Sequence, residues 1–345
     1  MILNKYNLPQ AIVRAYEQHQ YQLQGDINCT SLIGPPQIFQ LEQRHAEEID
    51  VDIMDQAFSL FGTAIHGVLE RASQTPIHRQ MHVLIDKAVQ DMQNHGLGEV
   101  LNEYIPRITN LMKNFFNAPR KQIYREKTFT ATVNGWTLSG TPDYIEDCTL
   151  DDYKVCRAWA VKAGAKTEWE HQANVNAWLA GQDGVHIDQL RVVAFLRDWS
   201  PFEAMKDSRY PQQEIQVLPV TRRSNDVIHS YIHARIVLHQ MAMQQPDEKL
   251  PECTAEERWE KPECWAVTKI QKNGNFANRA YRLCDNEESA ETLAEEMTQK
   301  GPNQYGVVHR RGESTRCERY CSVQSFCHQY RRMKGEDYES NRKAA

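Results

Sequence analysis

Gly140-Thr141-Pro142-Asp143, followed nine residues later by Asp152-Tyr153-Lys154, is the stretch on which the reading of the fold turns. On a strand, residues two apart share a face, so Asp152 and Lys154 project together while Tyr153 packs behind them. Asp143, near the end of the neighbouring strand, reaches the same patch across the short Glu146 to Asp151 connection. Two carboxylates then converge on one point. Asp151 competes with Asp152, but alternation puts it on the opposite face. Hard oxygen donors of this kind suit Mg²⁺ or Mn²⁺, with water and a phosphate completing the shell. Hydrolysing a phosphodiester at neutral pH needs a metal to lower the pKa of the attacking water, and a cation beside it to meet developing charge. Lys154 suits the second role. Alone, a D-x-K triplet says little, because acids and bases alternate as salt bridges on many exposed strands.

Working outward, Tyr124 to Val133, Asn134-Gly135 and Trp136 to Ser139 read as a hairpin whose turn needs positive φ at both central residues. Downstream come an amphipathic helix from about Glu168 to Leu179, strands at Leu190 to Leu196 and Glu214 to Pro219, and a long helix from about Asn225 to Met243. From residue 1 to about 120 the apolar positions recur at three and four, as in Phe58, Phe61, Ile65, Val68 and Leu69, with Asp55 as N-cap of that helix. His66 and Glu70 lie four apart on it, and Gln172 and Asn176 lie four apart on the helix after the lysine strand. Taken singly, each pair reads equally well as a packed or solvated helix face. The expected class is α/β, a mixed sheet flanked by helices behind a helical N-terminal region.

At 345 residues the chain can bury a substantial core without disulfides, so stability does not explain its nine cysteines. No apolar run is long enough to span a bilayer, and the N-terminus lacks the basic and apolar segments of a secretory signal. A cytoplasmic location is expected, where clustered cysteines more often bind metal than pair. The formal net charge of −6 gives no global attraction to nucleic acid. A phosphate binder would have to gather its cations locally, as near Arg310-Arg311, Arg316, Arg319 and Arg331-Arg332.

Beyond Pro246-Asp247 cysteines crowd in and apolar segments shorten, which sets a boundary at about residue 250. Residues 1–250 hold the helical region and the sheet, residues 251–333 a cysteine-cluster region, and residues 334–345 a polar tail. Within the second part, Trp265 to Ile270, Arg279 to Leu283, a helix Glu288 to Gln299 capped by Gly301, and Tyr305 to His309 form a small β-β-α-β insertion over about 265–312. Cys317, Cys321 and Cys327 are close enough in sequence to ligate one centre, and three thiolates need a fourth. The paired C-x-x-C motifs of a zinc ribbon are absent, so a [4Fe-4S] cluster suits them better, with zinc on the same ligands as the alternative. Cys253, Cys264 and Cys29 compete for the fourth place. Cys253 is preferred, because Cys29 is accounted for as a small residue capping a helix. Cys148, Cys156 and Cys284 read as ordinary buried or half-buried thiols.

In order, Gly62-Thr63, His66, Glu70, a strand at Glu126, Gly140-Thr141-Pro142-Asp143, Asp152-Tyr153-Lys154 and a Gln172 helix resemble the RecB-like branch of the PD-(D/E)XK nucleases over about residues 58–180. The resemblance implies a restriction-endonuclease-like core. It implies His66, Asp143 and Asp152 as ligands of a divalent metal with the Val155 backbone carbonyl, Lys154 as the catalytic cation, Glu126 as an accessory acid and Gln172 as a DNA contact. That family's helix carries Tyr four residues after Gln, where this chain has Asn176. The cysteine triplet resembles that of iron-sulfur nucleases in the same group, including CRISPR-adaptation exonucleases and AddB-type subunits. The activity implied is a Mg²⁺- or Mn²⁺-dependent deoxyribonuclease, an exonuclease on single strands or DNA ends in recombination, replication or defence, in a compact layout suited to a phage. The cluster would act as a structural clasp holding the basic segment Arg310 to Arg332 beside the active site. DNA is the expected partner, with a second copy of the chain or a recombination or replication protein as further ones. A noncatalytic DNA-binding or scaffold subunit is the alternative, favoured by Asn176 and the acidic net charge.

Overall fold

The computed structural model describes residues 2–18, 23–72, 76–95, 97–117 and 123–335. The chain is mixed α/β and divides into two compact units. One comprises Ile2–Ile33 and Asp50–Val237; the other comprises Gly34–Ile49 and the chain from Leu238 onward. The division falls inside the helix Asn225–Met243.

In the first unit a five-stranded sheet runs Ile215–Val220, Gln189–Leu196, Thr149–Cys156, Tyr144–Glu146, Ile123–Arg125. Thr149–Cys156 and Gln189–Leu196 are parallel, with the helix Thr167–Gln182 in the crossover; the other three pairings are antiparallel. That geometry follows from chain length, since parallel neighbours need a crossover of a dozen residues or more. In Gln189–Leu196 the residues Leu190, Val192, Ala194 and Leu196 are buried and alternate with less buried ones, as a pleated strand requires. The hairpin Phe129–Val133 and Trp136–Gly140 forms as expected, with Asn134 at φ 47° and Gly135 at φ 79°. Ile27–Asn28 extends it, parallel to Leu138 and Ser139.

Four local expectations are corrected. The run from Tyr124 to Val133 is two strands in different sheets, because Glu126 takes φ 46° and its N–H donates to the Asp143 carbonyl. The helix Thr167–Gln182 is not amphipathic. Every residue from Ala173 to Ala180 is buried, because the helix packs against strands of both sheets. Cys148 is exposed, lying with Asp147 in a tight turn where both have positive φ. The helix Ala57–Ala72 is entered through a 3-10 turn, Ile53–Gln56, capped by Asp52, which accepts the Met54 N–H at 2.9 Å; Asp55 lies inside that turn. The side chains of Asp55 and Glu70 lie outside the described residues.

The second unit contains a three-stranded antiparallel sheet in the order Phe276–Cys284, Cys264–Ile270, Tyr305–Arg310. The helix Glu287–Lys300 covers it, setting Ala290 and Ala294 on Val267. Asn286 caps that helix by accepting the Ser289 N–H at 2.9 Å. Gly301 ends it in extended backbone, without the left-handed cap expected of a glycine. A second cluster joins Leu41, Ala242, Leu250, Val323 and Cys327, and it draws Gly34–Ile49 into this unit despite the distance in sequence. His45 reinforces it, stacking on Phe326 at 4.0 Å and pairing with Asp247 at 2.8 Å. Among the described residues no helix is long and apolar enough to cross a membrane.

Close approach of the helix Thr167–Gln182 to the hairpin depends on Gly140, where an added Cβ would stand 2.4 Å from Asn176 Oδ1 and 2.6 Å from Leu179 Cδ1. Neither neighbour is free to retreat, since both are buried. Gly140→Ala is expected to lower stability by about 1–3 kcal/mol, the usual cost of overpacking. Urea unfolding measures it, and an unchanged midpoint would contradict this packing.

Candidate metal and active site

The antiparallel pairing of Tyr144–Glu146 with Thr149–Cys156 sets Tyr144 opposite Asp151, which leaves Asp143 next to the peptide of Tyr153. The Tyr153 N–H donates to Asp143 Oδ2 at 2.5 Å. From the helix Ala57–Ala72, His66 reaches the same peptide, and its Nε2 donates to the Tyr153 carbonyl at 3.3 Å. One peptide unit thus holds two of the expected ligands. The bond at Nε2 turns Nδ1 toward the carboxylates, 3.3 Å from Asp143 Oδ1 and 3.4 Å from Glu126 Oε1. Donor atoms of His66, Glu126 and Asp143 all lie within 4.8 Å of one another, the one such group of three among the described residues.

Asp152 lies outside that triplet. It is buried, and its Oδ2 meets Lys154 Nζ at 2.8 Å, as the shared strand face dictates. Lys154 Nζ also donates to Gln172 Oε1 at 3.0 Å, which ties the helix Thr167–Gln182 to the lysine. Asp151, on the opposite face, is held by Arg191 in a two-pronged pair at 2.6 and 2.7 Å. Val155 stands in the parallel ladder opposite Phe195, and it is the carbonyl two residues earlier that meets the histidine. Asn176 is buried beside Gly140.

Electrostatics follow from this crowding. Burial, then repulsion from Asp152, pushes the Asp143 carboxyl up to about 7, against the pull of His66, the Tyr153 N–H and Lys154. Burial also raises Asp152, with Lys154 opposing it. His66 is raised by its bond to Glu126, an effect that desolvation only partly offsets. A divalent cation fits such a set. Its charge would relieve the buried carboxyls; the carboxylate oxygens suit Mn²⁺ or Mg²⁺, while the imidazole nitrogen is a softer donor than either metal prefers. Sequence reading gave Glu126 a secondary part, yet it stands inside the triplet in a left-handed backbone that non-glycine residues rarely adopt. The bridging role of the Tyr153 peptide was equally unmarked, apart from its place between Asp152 and Lys154.

In the second unit, Cys253, Cys317, Cys321 and Cys327 lie near enough to perturb one another. Burial first, and then Glu257 and the three other thiols, pushes Cys253 up to about 12. Cys321 is pushed up to about 11, again mainly by burial, while Val323 N–H works against the shift. Cys327 Sγ accepts the Tyr330 N–H at 3.4 Å, and Cys253 Sγ donates to Gln37 Oε1 at 3.3 Å. Cys29 belongs to the other unit, where its Sγ donates to the Gln172 carbonyl at 3.7 Å; Asn28, which accepts the Ser31 N–H at 2.8 Å, is the residue capping that short helix. Cys264 begins the strand opposite Arg310.

No family model matches the chain, and no curated protein matches it. Among solved structures, SSO0001 is 14% identical, with 66% of this chain and 84% of that one covered at a TM-score of 0.37. A protein of Eubacterium rectale, named provisionally as an exonuclease, is 12% identical, with 48% and 69% covered at a TM-score of 0.26. Superpositions this loose leave the functional reading to the side chains.

Bound metal must displace protons from Asp143 and His66, so affinity should rise with pH through about 7. The stability linkage of the metal-free protein runs the opposite way. A carboxyl raised above its unfolded value favours the fold while protonated, and that contribution is lost as pH climbs to about 7. Mn²⁺ is therefore expected to raise the melting temperature more at pH 8 than at pH 6, with affinity falling roughly tenfold per pH unit below 7 for each proton displaced. Thermal-shift titrations at both values test it; equal shifts would contradict the triplet as the metal's seat.

Proposed function

We propose that the chain is a divalent-metal-dependent deoxyribonuclease of the PD-(D/E)XK type, acting on single-stranded DNA or DNA ends. The observation that carries this reading is the donor triplet His66, Glu126 and Asp143 beside the Asp152–Lys154 pair. The same triplet without a neighbouring cation would suit many metal sites; a positioned lysine suits phosphate chemistry.

In this reading His66, Glu126 and Asp143 hold Mg²⁺ or Mn²⁺, and Asp152 supplies a further carboxylate. When bound, the cation would supply an acidified water and neutralise charge on the phosphate. Lys154 contributes a second positive charge where the pentacovalent phosphate gathers negative charge. Asp152 and Gln172 hold its ammonium group in place, at 2.8 and 3.0 Å. Burial around Asp152 strengthens each of these electrostatic contacts relative to water. The Tyr153 peptide keeps the histidine tautomer and the Asp143 carboxyl fixed, so little reorganisation accompanies the reaction.

We also propose that Cys253, Cys317, Cys321 and Cys327 hold a [4Fe-4S] cluster with a structural role. In a cubane each thiolate binds a separate iron, and the paired C-x-x-C motifs of a zinc ribbon are absent. Backbone N–H groups directed at Cys321 and Cys327 would support thiolates.

Purified protein should degrade labelled single-stranded or linear DNA with Mn²⁺ and not with EDTA, and Lys154→Ala should slow cleavage about 100-fold or more. Absence of cleavage by the wild type, or full activity in the variant, would overturn the assignment. Anaerobically purified protein should carry about four iron and four sulfide per chain, and Cys253→Ala should lower both; one zinc and no sulfide would overturn the cluster.

A further inference from the structure

Where the strands Thr149–Cys156 and Gln189–Leu196 end side by side, the first unit carries cations and exposed rings that the metal chemistry does not use. The register sets Cys156 opposite Leu196, and the Arg197 N–H donates to the Cys156 carbonyl at 3.0 Å, so both chains leave the sheet at one place. Lys154 stands only two residues before that edge, about 7 Å along the strand. From Arg157 to Lys166 the sequence holds three cations and no acid, against a net charge of −6 for the whole chain. Arg157, Lys162, Lys166 and Arg197 are exposed, and none forms an ion pair with a described residue. Of the acids nearby, Asp198 accepts the Ala158 N–H at 2.7 Å and Asp207 holds Arg209 at 3.0 Å. The balance at this edge is positive.

Aromatic side chains alternate with these charges. Arg197 lies over the Phe58 ring at 3.6 Å, Lys162 over Trp159 at 4.5 Å and Lys166 over Trp169 at 5.2 Å. Trp159 is 56% exposed, held outward because Ala158 and Val161 anchor its short turn in the core. Phe58 and Phe61 are as exposed, with ring centres 6.2 Å apart. Both belong to the helix Ala57–Ala72, which delivers His66 to the metal site about 7.5 Å beyond Phe61 along its axis. Rings and cations together select the occupant. An acidic peptide would meet the cations and leave the rings in water; an apolar protein face would cover the rings and bury the cations unpaired. A nucleic-acid strand satisfies both, since its phosphates meet the cations and its bases stack on the rings. Bases already paired and stacked in a duplex do not present those faces.

We propose that this edge of the sheet is a track for single-stranded DNA, with bases stacked on Trp159, Phe58 and Phe61 and phosphates held by Lys162, Lys166 and Arg197, leading the strand to Lys154. The inference rests on the nuclease reading and deepens it, because it names the substrate as unpaired strand gripped without regard to sequence. Stacking accepts any base, since each has a π face. The cations resting on the rings exchange a weak surface contact for a phosphate as the strand arrives.

Fluorescence anisotropy of a labelled thymidine oligomer, and of a duplex of the same length, tests it in EDTA, where neither cleavage nor bound metal intervenes. The wild type should hold the single strand about tenfold or more tighter than the duplex. Trp159→Ala and Phe58→Ala, both at exposed positions where folding loses little, should each weaken single-strand binding about tenfold, and Trp159→Phe should keep most of it. Replacing Lys162 and Arg197 by glutamine should flatten the dependence of log Kd on log salt, by about 0.7 for each phosphate contact removed. Single-strand affinity unchanged in both alanine variants overturns the track, and so does equal affinity for the duplex. Loss of binding to phosphatidylserine vesicles in those variants, with DNA binding intact, overturns it in favour of a membrane surface. If Mn²⁺ supports no cleavage while the variants still lose the single strand, the track stands and the nuclease reading falls; cleavage with binding unchanged does the reverse.

Discussion

Asp143 and Asp152 are two carboxyl groups carried by adjoining segments, Asp152 fully buried and Asp143 largely so, and Asp143 feels the charge of Asp152. In a protein interior this is among the costlier arrangements, because neither charge is solvated and like charges repel. Every neighbour answers to that cost. The Tyr153 N–H bonds one carboxyl, Lys154 pairs with the other, and His66 faces the first from a separate helix. Compensation is incomplete, as the raised Asp143 carboxyl shows, and the residual field is what a cation would satisfy. Such a site loses stability for function, which is why the surrounding frame must be rigid.

Rigidity comes from the helix Thr167–Gln182. Its eight consecutive buried residues wedge it against both sheets, with small side chains at Ala173, Ala177 and Ala180 and the bare Gly140 opposite Asn176. Asn174 locks it further, accepting the Arg223 N–H at 2.8 Å and donating to the Thr221 carbonyl at 3.0 Å. Gln172 then projects from a fixed axis to Lys154. A mobile helix would let that amide wander, and the ammonium group with it.

Much of this was legible in the sequence where one local rule was strong. The Asn134-Gly135 turn, the alternation of Asp152 and Lys154 and the span Asn225–Met243 each follow from short-range geometry. Illegible parts were those decided by distant partners. Nothing between Tyr124 and Val133 marks Glu126 as the break, since its left-handed backbone is imposed by the carbonyl of Asp143. Likewise the helix Thr167–Gln182 looked one-sided, because Asn174 and Asn176 count as polar in a periodicity while their amides are buried. Gly34–Ile49 joins the unit of Leu238 and beyond through Leu41, a contact no sequence window contains.

The two polar constellations of the first unit divide their chemistry by charge. Around His66 the groups are ionisable, and their mutual fields are strong in a buried setting, which suits a phosphate and its cation. Across Gln172 they are neutral, the hydroxyls of Thr30, Ser31, Ser139 and Thr141 and the amide of Asn176, which interact by hydrogen-bond direction instead of by charge. Gln172 belongs to both, with its side-chain oxygen on Lys154 and its backbone carbonyl accepting from Cys29. The Cys29 thiol, raised chiefly by burial and next by Asp152, stays protonated and neutral, so it extends the uncharged wall and adds no anion beside the lysine. A charged residue at position 29 would bring an ion into the neutral wall beside the lysine and merge the two environments.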